Sequence, residues 1–196
     1  GSAIGESLGY AVSTAGDVNG DGYADVIIGA PGYRSTDLEA DEGIVLIWHG
    51  SPAGLGTGSA DWSAEVNWPG AEFGSAVATA GDVNGDGYSD IIAGAPHYDT
   101  DGIDNGRGLV AVWHGSGSGL GEPGNPSWMT FGAVDHEEFR SAVATAGDVN
   151  GDGYADVVIG GPNYGFIGLH GGRAYVHLGS ASGLDTSYVW DEMGAT

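Results

Sequence analysis

Four oxygen-bearing side chains recur at fixed spacing in a nine-residue turn, and the chain contains this turn three times. The copies read DVNGDGYAD from Asp17, DVNGDGYSD from Asp82 and DVNGDGYAD from Asp148. Asp, Asn, Asp and Asp stand at positions 1, 3, 5 and 9, and the glycine at position 6 permits a sharp bend. These donors are hard oxygens, which favours Ca²⁺ over metals that prefer imidazole or thiolate ligands.

We therefore predict one Ca²⁺ in each turn and three per chain, with the backbone carbonyl at position 7 as a further ligand. The alternative is a solvated acidic turn, because Asn-Gly and Asp-Gly are also hairpin signals. Three copies with every side-chain donor present favour the metal interpretation. The predicted ligands are Asp17, Asn19, Asp21, Tyr23 and Asp25; Asp82, Asn84, Asp86, Tyr88 and Asp90; and Asp148, Asn150, Asp152, Tyr154 and Asp156.

Helix-flanked calcium loops begin with similar residues, but they need an acidic ligand at position 12. Position 12 here is Ile28, Ala93 or Ile159, which are residues typical of a buried strand. The Asp at position 9 would close the site instead. The sequence thus indicates a turn between two β-strands.

The composition excludes several classes of protein. Among 196 residues, 27 are acidic and 4 basic, which gives a formal net charge of −23. Such a charge repels nucleic acid and anionic membrane surfaces, so we expect neither as a partner. The chain has no cysteine, which excludes disulfides and thiolate sites. No apolar run approaches the roughly 18 residues that a membrane span requires, so no membrane insertion is expected.

The repeat is much longer than the turn, because the first Asp recurs after 65 and then 66 residues. In the first unit YAVSTA, DVIIGA and IVLIWH read as short strands, and DWSAEVNW as a fourth, outer strand. Glycine and proline interrupt the gaps, and no window has a helical period. We predict an all-β chain of three four-stranded antiparallel β-propeller blades, at about residues 4–68, 69–134 and 135–196. A β-solenoid is the alternative, although its repeats are usually shorter.

Phe73-Gly74, the turn DVNGDGYSD and Gly94-Ala95-Pro96 together resemble the FG-GAP repeat, the blade of integrin α-subunit propellers. The first unit departs from this pattern at Leu8-Gly9. The third departs at Phe139-Arg140 and Gly160-Gly161-Pro162, and no departure touches a predicted ligand. The resemblance implies a propeller whose Ca²⁺ turns join the first and second strands of each blade. It assigns the ions to the same fifteen residues.

Three blades alone would not close a ring, since propellers have about four to eight blades. From Asp148 through the chain end to Asp17 of a second copy is 65 residues, which equals the internal period. Either the chain is a piece of a longer protein, or copies join head to tail. Because the register continues, we expect the chain to complete a closed propeller by head-to-tail oligomerisation, with itself as the partner. A dimer of six blades is preferred to nine blades, which lie beyond the usual range.

No catalytic motif is present, and we predict that the chain is not an enzyme. His49 and His114 occupy equivalent strand ends, which favours a structural role. One Trp per unit is expected to pack on the outer strand, and Trp68, which has no repeat partner, is either a ligand-binding aromatic or a local packing residue. The repeated tryptophans are Trp62, Trp128 and Trp190.

The loops between the second and third strands differ most among the units, and variable loops on a rigid scaffold favour recognition. In the integrin-like family these loops lie opposite the calcium turns and bind partners. Asp99, Asp101 and Asp104 in the second loop could hold a further cation, or could be solvated. The expected function is a calcium-binding, non-enzymatic module for binding, adhesion or assembly, secreted or on the surface of a bacterial cell. The alternatives are a carbohydrate-binding lectin, bound to a glycan, and a scaffold fragment of a larger secreted enzyme.

Overall fold

The computed structural model describes residues 7–35, 41–99, 107–132, 142–162 and 171–194. In these ranges the regular structure consists of twelve β-strands, which form three separate four-stranded antiparallel sheets without a described helix. The prediction of an all-β chain with three four-stranded units is confirmed. No described helix has the length and apolar character needed to cross a bilayer.

Each sheet is a meander in which strands pair in chain order, so the sheet is one repeat of the sequence. The first sheet contains β1 (Ala11–Gly16), β2 (Asp25–Ala30), β3 (Ile44–Trp48) and β4 (Trp62–Glu65). The second contains β5 (Ala76–Gly81), β6 (Asp90–Ala95), β7 (Leu109–Trp113) and β8 (Trp128–Phe131). The third contains β9 (Ala142–Gly147), β10 (Asp156–Gly161), β11 (Arg173–His177) and β12 (Trp190–Met193).

We call the three sheets blades 1, 2 and 3. Their strands lie within the predicted limits of 4–68, 69–134 and 135–196, although those limits themselves stay a prediction. Position 12 of each repeated turn falls in a strand (β2, β6 or β10), as the sequence indicated.

A bulge precedes each acidic turn. Thr14 pairs with Val26 and Gly16 pairs with Asp25, so Ala15 is an extra residue on β1. Gly16 has a φ of 78°, a conformation that favours glycine. The same irregularity occurs between β5 and β6 and between β9 and β10. The bulge therefore fixes where the strand stops and the turn starts.

The apolar core lies between the blades. Val45 and Ile47 of blade 1 share one buried cluster with Ile91 and Ala111 of blade 2. On the other side of blade 2, residues such as Ile92 share a second cluster with blade 3. All residues of β6 and β7 are buried. The middle strands of blade 2 are buried on both faces because a neighbouring blade covers each face.

Candidate metal-binding turns

The three acidic turns join the first and second strand of each blade, and hydrogen bonds connect each turn to the next. The amide of Ser89 in the second turn donates to the carbonyl of Asp17 in the first, at 3.0 Å. The amide of Ala155 in the third turn donates to the carbonyl of Asp82, at 2.9 Å. The turns consequently form one continuous row at the ends of the first strands, β1, β5 and β9, of which β5 contacts both others.

The Asp at position 1 organises each turn through the backbone. Asp17 Oδ1 accepts from the amides of Gly20 at 2.7 Å and Asp21 at 3.1 Å, and Oδ2 accepts from Gly22 at 2.9 Å. Gly22 has a φ of 88°, in agreement with the bend predicted at this glycine. Asp82 and Asp148 accept from the equivalent amides.

These hydrogen bonds favour the ionised carboxylate. In the third turn they lower the pKa of Asp148, chiefly through the amide of Gly153, while desolvation opposes the shift and the amides of Gly151 and Asp152 add to it. A negative charge is thus stabilised at the start of the turn.

The side chains at positions 3 and 5 are in contact. Asn19 Nδ2 donates to Asp21 Oδ2 at 3.1 Å, and Asn19 Oδ1 accepts from the amide of Asp21 at 3.0 Å. Asp21 Oδ1 accepts from the amide of Tyr23 at 2.9 Å. The same contacts recur in the second and third turns. Each turn therefore brings together the half-exposed or exposed donors at positions 1, 3 and 5.

The Asp at position 9 is placed differently, because its carboxylate is buried in the blade. Asp25 Oδ2 accepts from the amide of Val18, and Oδ1 accepts from the amide of Gly50 after β3, both at 2.8 Å. Asp90 and Asp156 accept from the equivalent amides in blades 2 and 3. This Asp ties the turn to the end of the third strand, a contact that its position in the sequence did not predict.

Burial raises the pKa of the Asp at position 9 in blade 2, which is Asp90. Desolvation raises the pKa of Asp90 to about 7, although the amides of Gly115 and Val83 act in the opposite direction. The negative charges of Asp86 and Asp82 raise it further. A positive charge placed nearby would act against these effects, since an opposite charge favours the ionised form.

The donors fit a hard divalent cation in their chemistry. A carboxylate oxygen has two lone pairs, and each of five such oxygens in the first turn accepts one hydrogen bond from the protein. They are Asp17 Oδ2, both oxygens of Asp21 and both oxygens of Asp25. In the part of the chain that the structure describes, no three acidic, imidazole or thiolate side chains converge as a metal cluster. The fifteen-residue ligand set accordingly stays a prediction.

The repeated histidines and tryptophans lie at the junctions between blades. His49 and His114 each have a buried Nε2 without a hydrogen-bond partner among the described residues. Trp62 packs edge-on against Trp113, with ring centroids 5.5 Å apart, and Trp128 packs similarly against His177 at 4.9 Å. These contacts are the packing role predicted for Trp62 and Trp128, while Trp190 is half exposed.

His177 is buried beside Trp128, and this burial lowers its pKa. Its Nδ1–H donates to the carbonyl of Asp185 at 3.0 Å. This hydrogen bond and the negative charge of Asp185 both raise the pKa of His177, against the larger effect of burial. Of the two roles considered for Trp68, the structure favours local packing, since its ring lies 5.7 Å from that of Tyr98 against the first core cluster.

Several predictions fall on residues that the structure does not describe. Asp101 and Asp104 lie outside the described residues, whereas Asp99 is buried. Parts of all three variable loops are likewise outside, at 36–40, 100–106 and 163–170. The suggested further cation and the recognition role of these loops remain predictions.

Comparison with known proteins identifies the class to which these blades belong. The FG-GAP repeat family matches residues 8–48, 73–113 and 139–177, which is one match for each blade. Together these matches cover more than half of the chain. The chain therefore belongs to the FG-GAP repeat family, and its three sheets are propeller blades, as the resemblance implied.

Curated relatives include integrin alpha chains and a protein named as a phospholipase D. Integrin alpha-PS2 of Drosophila melanogaster is 37% identical over 174 residues, covering 82% of this chain and 12% of the relative. Integrin alpha-3 of Cricetulus griseus is 30% identical over 177 residues, covering 90% and 15%. Phosphatidylinositol-glycan-specific phospholipase D of Homo sapiens is 35% identical over 161 residues, covering 79% and 18%. The chain thus spans less than a fifth of the length of these relatives.

Proposed function

We propose that the chain is a calcium-binding FG-GAP propeller module that serves binding, adhesion or assembly outside the cell and carries no catalytic centre of its own. The observation that carries the proposal is the threefold recurrence of one oxygen-rich turn with one hydrogen-bond pattern, in a chain similar to integrin alpha subunits.

The cation would be held by the side chains at positions 1, 3, 5 and 9 and by the carbonyl at position 7. In the first turn these positions are Asp17, Asn19, Asp21, Tyr23 and Asp25. When bound, Ca²⁺ would supply positive charge among carboxylates that otherwise repel one another, and would join the two strands that flank the turn. Each ion adds two positive charges, so three ions would change the formal net charge from −23 to −17.

An extracellular location follows from the calcium proposal. Extracellular modules with oxygen ligands bind Ca²⁺ with dissociation constants of about 10⁻⁴ to 10⁻³ M, so they are filled outside the cell and largely empty in the cytosol. The integrin relatives agree with use in adhesion.

The binding face that we propose is the end of the blades opposite the acidic turns. In an antiparallel meander the connection from β2 to β3 lies at the other end from the turn between β1 and β2. The three equivalent connections are 31–43, 96–108 and 162–172, and they differ at most positions in sequence, whereas the turns vary only at position 8. A rigid frame with variable loops at one end is suited to recognition.

Thermal unfolding with and without Ca²⁺ tests the metal proposal. Ions that bind only the folded state stabilise it by RT ln(1 + [Ca²⁺]/Kd) at each site, which is about 0.4–1.4 kcal/mol at 1 mM Ca²⁺ for the dissociation constants given above. We expect millimolar Ca²⁺ to raise the melting temperature relative to a chelator, and calorimetric titration to give three ions per chain.

A charge-matched pair of variants makes this test specific. The variant with Asp21→Ala, Asp86→Ala and Asp152→Ala should lose the response to Ca²⁺. The control replaces three exposed carboxylates outside the turns and should retain it; its substitutions are Glu122→Ala, Asp185→Ala and Glu192→Ala. An equal melting temperature in Ca²⁺ and in chelator for the unmodified chain would contradict the proposal.

A scaffold region of a larger secreted enzyme is the second candidate, and one observation favours it. A protein named as a phospholipase D is similar over 79% of this chain, so FG-GAP repeats also occur in a protein named for an enzymatic activity. Sequencing the full gene distinguishes the candidates, because an additional domain with a catalytic motif would support the scaffold and a receptor-like architecture would support adhesion.

A further inference from the structure

The two junctions inside the chain use the same contacts. At the junction of blades 1 and 2, the ring of Tyr88 lies on Gly20, where an added Cβ would come within 2.4 Å of Tyr88 Cε1. At the junction of blades 2 and 3, Tyr154 lies on Gly85 in the same way, at 2.6 Å. In both cases position 7 of one turn covers position 4 of the preceding turn.

Backbone hydrogen bonds and tryptophans repeat as well. Besides the amide of Ser89 on Asp17 and that of Ala155 on Asp82, Ser116 donates to the carbonyl of Val18 and Ser180 to that of Val83, at 3.1 and 3.0 Å. The outer-strand tryptophan of each earlier blade packs on the end of the third strand in the next blade. A junction is therefore a defined set of contacts between two kinds of face. The trailing face of the earlier blade carries the glycine at position 4 and the outer-strand tryptophan, as with Gly20 and Trp62. The leading face of the next blade carries the tyrosine at position 7 and the aromatic residue that ends the third strand, as with Tyr88 and Trp113.

Blade 1 has a free leading face and blade 3 has a free trailing face, and both carry the residues that a junction uses. Val12 on blade 1 is 64% exposed, whereas its counterpart Val77 in blade 2 is 8% exposed. Val149 on blade 3 is 57% exposed, whereas Val83 is fully buried. Trp190 is 49% exposed, against 8% for its blade 2 counterpart Trp128.

The turn residues that form the internal junctions are also uncovered on the two free faces. Tyr23, the counterpart of Tyr88, is 41% exposed at the leading face. At the trailing face, an added Cβ at Gly147 or Gly151 would meet no described atom within 4 Å. The counterparts of Gly147 in the earlier blades are Gly16 and Gly81, and those of Gly151 are Gly20 and Gly85. The following blade covers all four.

We propose that a second copy of this chain occupies these faces, with the trailing face of blade 3 of each copy seated on the leading face of blade 1 of the other. Tyr23 would then lie on Gly151, Trp190 on Trp48 and Ala24 on Gly147. The amides of Ala24 and Ser51 would donate to the carbonyls of Asp148 and Val149. Every pairing copies one that both internal junctions make.

Two such contacts close a six-bladed ring with two-fold symmetry, because each copy offers one face of each kind. Pairing two leading faces would bring Tyr23 of each copy together with no glycine to receive it. Six blades lie within the usual range for propellers, whereas three copies would give nine. The contacts are apolar packing and backbone hydrogen bonds, so the pairing does not depend on the calcium proposal.

The test is the mass in solution, measured by light scattering on the 196-residue chain and on variants with a charge on one exposed face residue. We expect the unmodified chain to have twice the mass of one chain. Val12→Glu blocks the leading face and Trp190→Glu the trailing face, and each alone should give a monomer. An equimolar mixture of the two variants should again show the mass of two chains. The intact trailing face of the Val12→Glu variant can form one junction with the intact leading face of the Trp190→Glu variant.

Met129→Glu is the matched control, since it places the same charge on an exposed strand residue of blade 2 away from both free faces. It should leave the doubled mass unchanged, and circular dichroism should show that all variants are folded. A monomeric unmodified chain at about 0.15 M salt, where charge repulsion is screened beyond about 8 Å, overturns the proposal. So does a dimer that only one face variant disrupts, which would mean like-with-like pairing, and so does a mass of three or more copies.

Discussion

At the scale of single residues, each acidic turn uses its carboxylates in two ways. The Asp at position 1 is half exposed in the first two turns and exposed in the third, and it bends the turn by accepting three amides. The Asp at position 9 is buried and accepts one amide from its own turn and one from beyond the third strand. Asp25 reaches from its own turn to Gly50, beyond β3. Part of its role is therefore independent of any ion.

Replacing Asp25 by alanine tests that separation of roles. The substitution leaves the buried amides of Val18 and Gly50 without their acceptors, and each unsatisfied group costs about 1–3 kcal/mol. We expect the free energy of unfolding to fall by about 2–5 kcal/mol in chelator. Urea denaturation without Ca²⁺ measures it.

Asp21→Ala is the control in the same turn, since it removes the same charge from an exposed side chain. Its cost in chelator should stay below about 1 kcal/mol, because water can replace an exposed acceptor. Equal costs for Asp21→Ala and Asp25→Ala would show that the buried hydrogen bonds do not set the stability of the turn.

At the scale of the elements, the spacing between neighbouring blades depends on glycine where backbones approach most closely. Gly29 on β2 lies against Gly74 at the start of the next blade, and an added Cβ would stand 1.8 Å from the carbonyl oxygen of Gly74. Gly29 has no unusual φ, so the restriction comes from the neighbouring blade and not from its own backbone.

Gly29→Ala should consequently destabilise the chain by about 3 kcal/mol, the upper end of the usual cost of overpacking, because neither backbone segment can yield as a side chain can. Gly56→Ala provides the comparison, since its added Cβ would meet no described atom within 4 Å. We expect Gly56→Ala to change the free energy of unfolding by less than about 0.5 kcal/mol. Thermal and urea unfolding of both variants check the difference, and a mild effect of Gly29→Ala would contradict the close approach of the blades.

At the scale of the whole molecule, the dominant feature is a net charge of −23, carried by 27 acidic and 4 basic residues. The described residues include one close ion pair of low exposure, between Arg173 and Asp191 at 2.6 Å. Most of the acidic charge is therefore uncompensated, and self-repulsion opposes both the compact state and the association of two copies.

Ionic strength should reveal this repulsion. The screening length falls from about 30 Å at 0.01 M salt to about 8 Å at 0.15 M. In chelator, we expect sodium chloride over this range to raise the melting temperature and to shift the mass of the unmodified chain from one copy towards two. The control with Glu122→Ala, Asp185→Ala and Glu192→Ala should respond less, because it carries three fewer negative charges. A melting temperature that does not change with salt would mean that charge repulsion is unimportant here.

The sequence alone determined the repeat, the strands and the turns of this protein. DVIIGA and IVLIWH form β2 and β3, and the nine-residue turn begins where the bulge at Gly16 ends the strand. The residue types and short spacings that set these features act within one blade. A repeat of about 65 residues also determined that the blades are alike.

The tertiary structure decided the features that depend on two blades or on distant parts of one. Val83 and Val149 stand at the same position of turns that differ in one residue, yet one is fully buried and the other exposed, because only the first has a following blade within the chain. The buried role of Asp25 depends likewise on Gly50, which lies 25 residues further along the chain. Local sequence sets the backbone conformation of each turn. Burial of a side chain depends on whether another blade lies against it, and that blade is close in space although it is distant along the chain.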